Sequence, residues 1–245
     1  MVVKIAAEFV TSAETASDLP REILAEIALV GRSNVGKSSL INALVRRRVA
    51  RTSRAPGKTR LANFYRVSRG SAAPVFLVDL PGYGFARGGA SDFDDLARAV
   101  LARQGTALLL VDARHPGLEN DLAAWEWLNA SVAARAVIAT KIDKLSRAER
   151  KQALSTLDSV FEAPILPVSA VTGEGLDELW KLIDTLANNN NTRNKVLKAP
   201  GALKADRAPR DHPGRANQAR SQPGSRPGET ALHHPRKSSA STSRR

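Results

Sequence analysis

The chain has 245 residues, 42% hydrophobic and only 4% aromatic, with a formal net charge of +13 and no cysteine. That length allows one or two domains with an aliphatic core, and the missing thiol excludes disulfides, thiolate metal sites and cysteine nucleophiles. No run approaches the roughly 18–20 apolar residues of a membrane span, and MVVKIAAEFVTSAETASDLP makes a poor signal peptide, so a soluble cytoplasmic protein is expected.

Residues 1–22 read as an N-terminal extension. From 23 to 190, apolar runs alternate with segments of helical spacing. The runs are ILAEIALV, LANFYRV, PVFLVDL, TALLLVD, ARAVIAT and PILPVS, and helices are expected near 37–46, 92–103, 118–130, 146–161 and 174–187. FLVDL and ALLLVD are nearly continuous, as strands covered on both faces are. The alternation implies an α/β fold, a mostly parallel six-stranded sheet flanked by helices. The strand near 61–67 has no crossover helix beside it and reads as an antiparallel edge. Trp125 stands three residues from both Leu122 and Leu128 on one helical face, a core position, whereas Trp127 points elsewhere. Residues 191–245 carry 13 Lys and Arg against 3 Asp and Glu, so most of the positive charge lies there. Dense in Pro, Gly, Ser and Arg, they read as a disordered basic tail, either a solubilising extension or an arm for RNA phosphates.

Chemistry concentrates at the ends of the apolar runs. Gly31-Arg32-Ser33-Asn34-Val35-Gly36-Lys37-Ser38 matches G-x-x-x-x-G-K-S, directly after an apolar strand and opening a helix. Its glycines let successive main-chain N–H groups face phosphate oxygens, and the helix N-terminus adds its positive end. Lys37 is placed to reach the β- and γ-phosphates, and Ser38 to ligate Mg²⁺. Thr59, in RAPGKT, is the natural candidate for a hydroxyl that joins Mg²⁺ only when the γ-phosphate is present. Lys37 and Thr59 are the catalytic candidates. Asp79-Leu80-Pro81-Gly82 closes a strand at its carboxyl end, where ligands of open α/β sheets bind. Asp79 can hold Mg²⁺ through water and the Gly82 N–H can sense the γ-phosphate.

Thr140-Lys141-Ile142-Asp143 closes ARAVIAT. A carboxylate at Asp143 can accept both the N1–H and the 2-amino hydrogens of guanine, a donor pair that adenine lacks. Lys141 can lay its stem over the base, and Ser169-Ala170 can offer a main-chain N–H to guanine O6. Tyr83 stands where many GTPases keep a water-orienting glutamine. It cannot orient water as an amide does, so its ring is expected to be packed or turned away and unaided hydrolysis to be slow. Asn34 either closes its loop through local hydrogen bonds or marks a site for K⁺ as an additional positive charge. Arg46, Arg47, Arg48, Arg51 and Arg54 form a basic cluster, either a solvated helix end or an RNA-facing surface.

EIALVGRSNVGKSSLINAL, TSRAPGKT, DLPGYG, ARHP and TKID stand in the order and spacing of the EngB/YihA/YsxC family of ribosome-biogenesis GTPases, and the chain resembles that family over roughly residues 8–187. The resemblance implies a Ras-like P-loop G domain of the TrmE-Era-EngA-EngB-like group that binds GTP and GDP. It implies Mg²⁺ and a role in late assembly of the large ribosomal subunit, with ribosomal RNA and ribosomal proteins as partners. Normal cell division and septation would depend on that supply, and a monomer is expected. Family roles fall on residues 31–38 as the phosphate loop and on Gly57, Lys58, Thr59, Arg60 and Leu61 as switch I. Ser38 and Thr59 become the magnesium ligands. Residues 79–82, residues 140–143, and Val168, Ser169 and Ala170 complete the nucleotide site.

Three other readings meet obstacles. TKID argues against a P-loop ATPase, the absence of cysteine against a tRNA-modifying G protein, and the unstructured tail against a KH module. A GTP-responsive RNA-binding protein with negligible hydrolysis stays open.

Overall fold

Seven strands in the order β1-β3-β4-β2-β5-β6-β7 make one sheet. The computed structural model describes the backbone of residues 3–51, 61–83, 95–104 and 106–198, with side chains as far as 188 except at 104. The strands are β1 (Ile5–Ala13), β2 (Ala25–Gly31), β3 (Ala62–Arg69), β4 (Val75–Asp79), β5 (Thr106–Asp112), β6 (Ala134–Thr140) and β7 (Ile165–Pro167). The helices are α1 (Lys37–Leu44), α2 (Asp95–Gln104), α3 (Glu119–Ser131), α4 (Arg147–Phe161) and α5 (Leu176–Lys198). From β4 through β2, β5 and β6 to β7 every pairing is parallel, while β3 runs antiparallel to both β1 and β4.

Every residue of β2, β4 and β5 is buried, as their unbroken apolar runs require. Alternation across the pleat sorts them into two layers. Ala28 and Val30 of β2 and Leu109 and Val111 of β5 face the layer that holds α2, α3 and α4. Ile27, Leu29, Leu108 and Leu110 face the layer that holds α1 and α5. Phe64 and Phe76 meet edge to face in the first layer, ring centroids 5.9 Å apart. Trp125 belongs to the same layer and donates from Nε1 to the Phe161 oxygen at 3.0 Å. Trp127 packs partly buried beneath the Arg98 guanidinium, 5.4 Å from the ring centroid.

Two expectations change. The sheet has seven strands rather than six, because residues 5–13 of the expected N-terminal extension pair antiparallel with β3. β3 is therefore antiparallel but not an edge. The pattern of β1 was hard to read because a bulge between Phe9 and Thr11 breaks its alternation, and Phe9 and Val10 face outward. The last helix also continues to Lys198, past the expected boundary at 190. Residues 199–245, most of the expected tail, lie outside the described residues. No described helix is long and apolar enough to cross a membrane.

One buried charge in this frame has a measurable consequence. Glu26 of β2 is 2% exposed, and neither carboxylate oxygen has an aligned hydrogen-bond partner among the described residues. Arg103 of α2 brings Nη2 to 3.0 Å from Oε1. Burial pushes the carboxyl up to about 7, with Arg103 pulling the other way. Between its ordinary value of 4.5 and about 7, the folded chain keeps a proton that the unfolded chain has released. Stability contributed by this group is thus full below 4.5 and is lost as pH rises to about 7. Glu26→Gln is expected to remove that slope and to exceed the wild type at pH 8 by on the order of 2 kcal/mol. Urea unfolding of both proteins at pH 5 and pH 8 measures the difference.

Candidate nucleotide site

The carboxyl ends of β2, β4, β5 and β6 converge on one edge of the parallel sheet, and the predicted motifs stand there. The loop from Gly31 runs off β2 and enters α1, whose first turn has no side-chain cap. Its leading N–H groups and the positive end of the helix are thus left for an anion. Gly36 takes a φ of 117° at the turn into the helix, a conformation closed to residues with a β-carbon. Lys37 is buried, and its Nζ donates to the main-chain oxygens of Gly31 at 2.8 Å and Arg32 at 3.2 Å. The ammonium is thereby curled into the loop. Burial lowers its pKa to about 8, against the opposing pull of Asp79.

Ser38 donates from Oγ to Asp79 Oδ2 at 2.5 Å. Burial pushes the Asp79 carboxyl up, opposed by Lys37 and by the Ser38 hydrogen bond. A carboxylate so desolvated, with a hydroxyl against it, offers two hard oxygen donors. Among the described residues no cluster of three or more His, Cys, Asp or Glu could cage a metal ion. This donor set suits Mg²⁺, which uses one or two protein oxygens together with phosphates and water.

At the far end of the site, Asp143 Oδ1 accepts from Ser169 Oγ at 2.8 Å, and Lys144 Nζ lies 3.3 Å from Oδ2. Burial raises this carboxyl, but the hydrogen bonds from Ser169 and Lys144 outweigh it and hold the group below the usual carboxylate range. It stays ionised, as an acceptor for guanine must. The Ser169 N–H is taken by the Glu174 oxygen at 2.9 Å, which leaves Ala170 as the candidate donor to O6. Val168 is buried behind them. Thr140 puts Oγ1 within 2.8 Å of the Val35 oxygen and 3.0 Å of the Val111 oxygen. Its hydroxyl ties the phosphate loop to the sheet. Lys141 spans the same gap, with Nζ 2.6 Å from the Asn34 oxygen and 2.9 Å from Asp112 Oδ2. Ile142 is buried beneath.

Leu80, buried, and Pro81 lead to Gly82, which touches Ser33 of the phosphate loop. Leu61 is half-buried just before β3, while Gly57, Lys58, Thr59 and Arg60 lie outside the described residues. Arg46, Arg47, Arg48 and Arg51 are exposed, and Arg54 is outside the described residues. The arginine segment is held by Asn42, whose side chain bonds the Val49 and Ala50 N–H groups and the Ala50 oxygen, each at 2.8 Å.

Two carboxylates escaped the sequence reading. Asp112 ends β5 and accepts from Arg114 and Lys141. Burial opposes ionisation there, but those bonds hold it down at about 2. The signal was a charge closing ALLLVD. Asp121 of α3 is 1% exposed and accepts from the Tyr83 hydroxyl at 2.8 Å and Arg32 Nε at 3.1 Å. No local pattern marks it. Tyr83 is packed on the core, as expected, with its hydroxyl committed to that bond.

Residues 26–141 match a family described as "50S ribosome-binding GTPase". A "Probable GTP-binding protein EngB" of Heliobacterium modesticaldum is 43% identical over 194 residues, covering 74% of this chain and 92% of that protein. Another, from Thermotoga maritima, is 41% identical over 194 residues, covering 75% and 97%. Among solved structures, Era in complex with MgGDPNP and nucleotides 1506–1542 of 16S ribosomal RNA is 26% identical with a TM-score of 0.58. An Era variant of Aquifex aeolicus bound to GDP.AlF4- shares the fold at a TM-score of 0.60 and 24% identity. The chain spans 56% and 57% of those two Era chains.

Proposed function

We propose that this chain, which belongs to the EngB family of GTP-binding proteins, works as a slow GTPase switch in assembly of the large ribosomal subunit. GTP binding and hydrolysis come with the family. We infer further that it acts in the cytoplasm on assembly of the large subunit, and that cell division depends on that supply. The observation that carries it is the match of residues 26–141, the span holding the phosphate loop, Asp79 and Thr140, to a 50S ribosome-binding GTPase family. The exposed arginines after α1 add a surface suited to RNA phosphates, next to the segment that carries Thr59.

In this reading the chain positions and stabilises rather than forming covalent bonds. Main-chain N–H groups of residues 32–38 and the Lys37 ammonium cradle the β- and γ-phosphates and stabilise charge developing between them. Ser38, Asp79 and, in the triphosphate state, Thr59 are the groups that would hold magnesium, which when bound neutralises phosphate charge. Asp143 and the Ala170 N–H fix guanine. Tyr83 contributes no water-positioning group, since its hydroxyl donates to Asp121. Water is then placed by a group other than Tyr83, and we infer that the ribosomal particle supplies it, so that hydrolysis by the chain alone is slow. The Asn34 main-chain oxygen is taken by Lys141, and nothing among the described residues favours a potassium ion beside it.

Binding to large-subunit precursor particles is expected to be at least tenfold tighter with a non-hydrolysable GTP analogue than with GDP, a coupling of about 1.4 kcal/mol. Co-sedimentation measures it. Equal retention in both nucleotide states would remove the switch from this proposal.

A further inference from the structure

The segment after β4 stays paired beyond its last strand residue. At the end of the parallel ladder Leu29 stands opposite Asp79, and Arg32 then bridges to Tyr83, three residues along one segment and four along the other. The pairing thus runs on, one residue out of register, from the sheet into the phosphate loop. Gly82 sits in that offset. A β-carbon there would stand 2.6 Å from both the nitrogen and Oγ of Ser33, so the two backbones touch with no space for a methyl group.

Asp121 fastens this contact from the side. Its Oδ1 accepts from both Tyr83 and Arg32, and its buried Oδ2 has no hydrogen-bond partner among the described residues. One oxygen therefore joins the phosphate loop, the segment after β4 and helix α3. A carboxylate this buried depends on its few partners, because losing any one leaves charge less compensated in a poorly solvated place. The arrangement favours one defined position of Tyr83, and so of Gly82 beside it.

We propose that Arg32, Tyr83 and Asp121 form a latch that holds Gly82 on Ser33 and sets how much more weakly the site takes GTP than GDP. This rests on the reading that phosphates lie in the loop and that the Gly82 N–H meets the γ-phosphate. A γ-phosphate between the loop and Gly82 needs the space now closed by their contact, whereas GDP does not. GTP must lift Gly82, and Tyr83 is drawn off Asp121 with it. The cost of opening falls on GTP alone, and only such differential binding shifts a two-state equilibrium. Tyr83 and Asp121 are positioning residues, acting on the nucleotide through Gly82. Because Asp121 belongs to α3, a partner that displaces this helix would ease GTP binding in the same way.

The test is equilibrium binding of a fluorescent GDP and of its non-hydrolysable GTP counterpart to the full chain. Tyr83→Phe keeps the ring and removes one hydrogen bond to a buried charge, so affinity for the GTP analogue should rise about tenfold while that for GDP changes less than about twofold. Asp121→Asn, which removes the charge paired with Arg32, should move the ratio of affinities in the same direction. General damage to the fold would weaken both nucleotides together and leave the ratio alone. A wild-type ratio in both variants overturns the latch. If the wild-type chain binds neither nucleotide, the site assignment fails and the latch falls with it.

Discussion

Lys37→Ala is expected to weaken both GDP and the GTP analogue by about 100-fold or more, since truncating one partner of a buried, hydrogen-bonded charge pair costs about 2–5 kcal/mol and each 1.4 kcal/mol is about tenfold. The Nζ group is buried inside the phosphate loop, where main-chain oxygens of Gly31 and Arg32 accept from it. Those carbonyls carry no formal charge, and burial already lowers the pKa of the ammonium to about 8. Phosphate oxygens supply the countercharge that the loop lacks. Alanine removes this attraction and leaves the carbonyls without their donor. Titration calorimetry with each nucleotide measures the loss. An affinity within about threefold of wild type, less than about 0.7 kcal/mol, would mean that phosphates do not sit in this loop.

The second large effect is expected at the other end of the site. Asp143→Asn should lower GTP affinity by on the order of 100-fold or more, because a site built to pair a substrate's N–H groups strongly rejects a mismatched partner. Ser169 and Lys144 hold the carboxylate ionised and aimed. An asparagine amide keeps one acceptor but presents a donor where guanine also has a donor. Xanthine carries an oxygen at that ring position, so xanthosine triphosphate should gain as GTP loses. Competition binding with GTP, ATP and xanthosine triphosphate reads the change. Unaltered selectivity for GTP would contradict the assignment of Asp143 to the base.

Much of this was legible in the residues. FLVDL and ALLLVD announced strands covered on both faces because burial leaves no room for a polar alternate position, and β4 and β5 are buried throughout. The helical spacing near 146–161 placed α4, and Ser146 and Glu149 close its start with a reciprocal capping box. β1 was hidden by its bulge and its outward Phe9 and Val10. The end of α5 was hidden by NNNNTRNKVLK, because asparagine is a poor helix former and reads as a break. In the first turns of that helix, Trp180 and Ile183 are buried, and Trp180 bonds the Leu44 oxygen at 3.2 Å.

The site divides in the same way. Phosphate loop, Asp79 and Asp143 are recognisable because each closes its own strand, and a strand end carries its chemistry in consecutive residues. Asp121 is different. It lies 89 residues from Arg32 and 38 from Tyr83, and only the folded sheet brings the three together. Thr140 is an intermediate case. It opens the segment that carries Asp143, yet its hydroxyl meets the Val35 and Val111 oxygens. The fold thus gives this threonine a bracing role that spacing could not disclose.

Tyr83 brings these threads to one point. The Tyr83 hydroxyl is spent on Asp121, so this side chain does not place the attacking water. The measurement that bears most directly on a partner-dependent GTPase switch is single-turnover GTP hydrolysis by the full chain, with and without large-subunit precursor particles. Hydrolysis should be slow alone and accelerate at least tenfold with the particles, about 1.4 kcal/mol of added transition-state stabilisation. An equal rate in both conditions would contradict it.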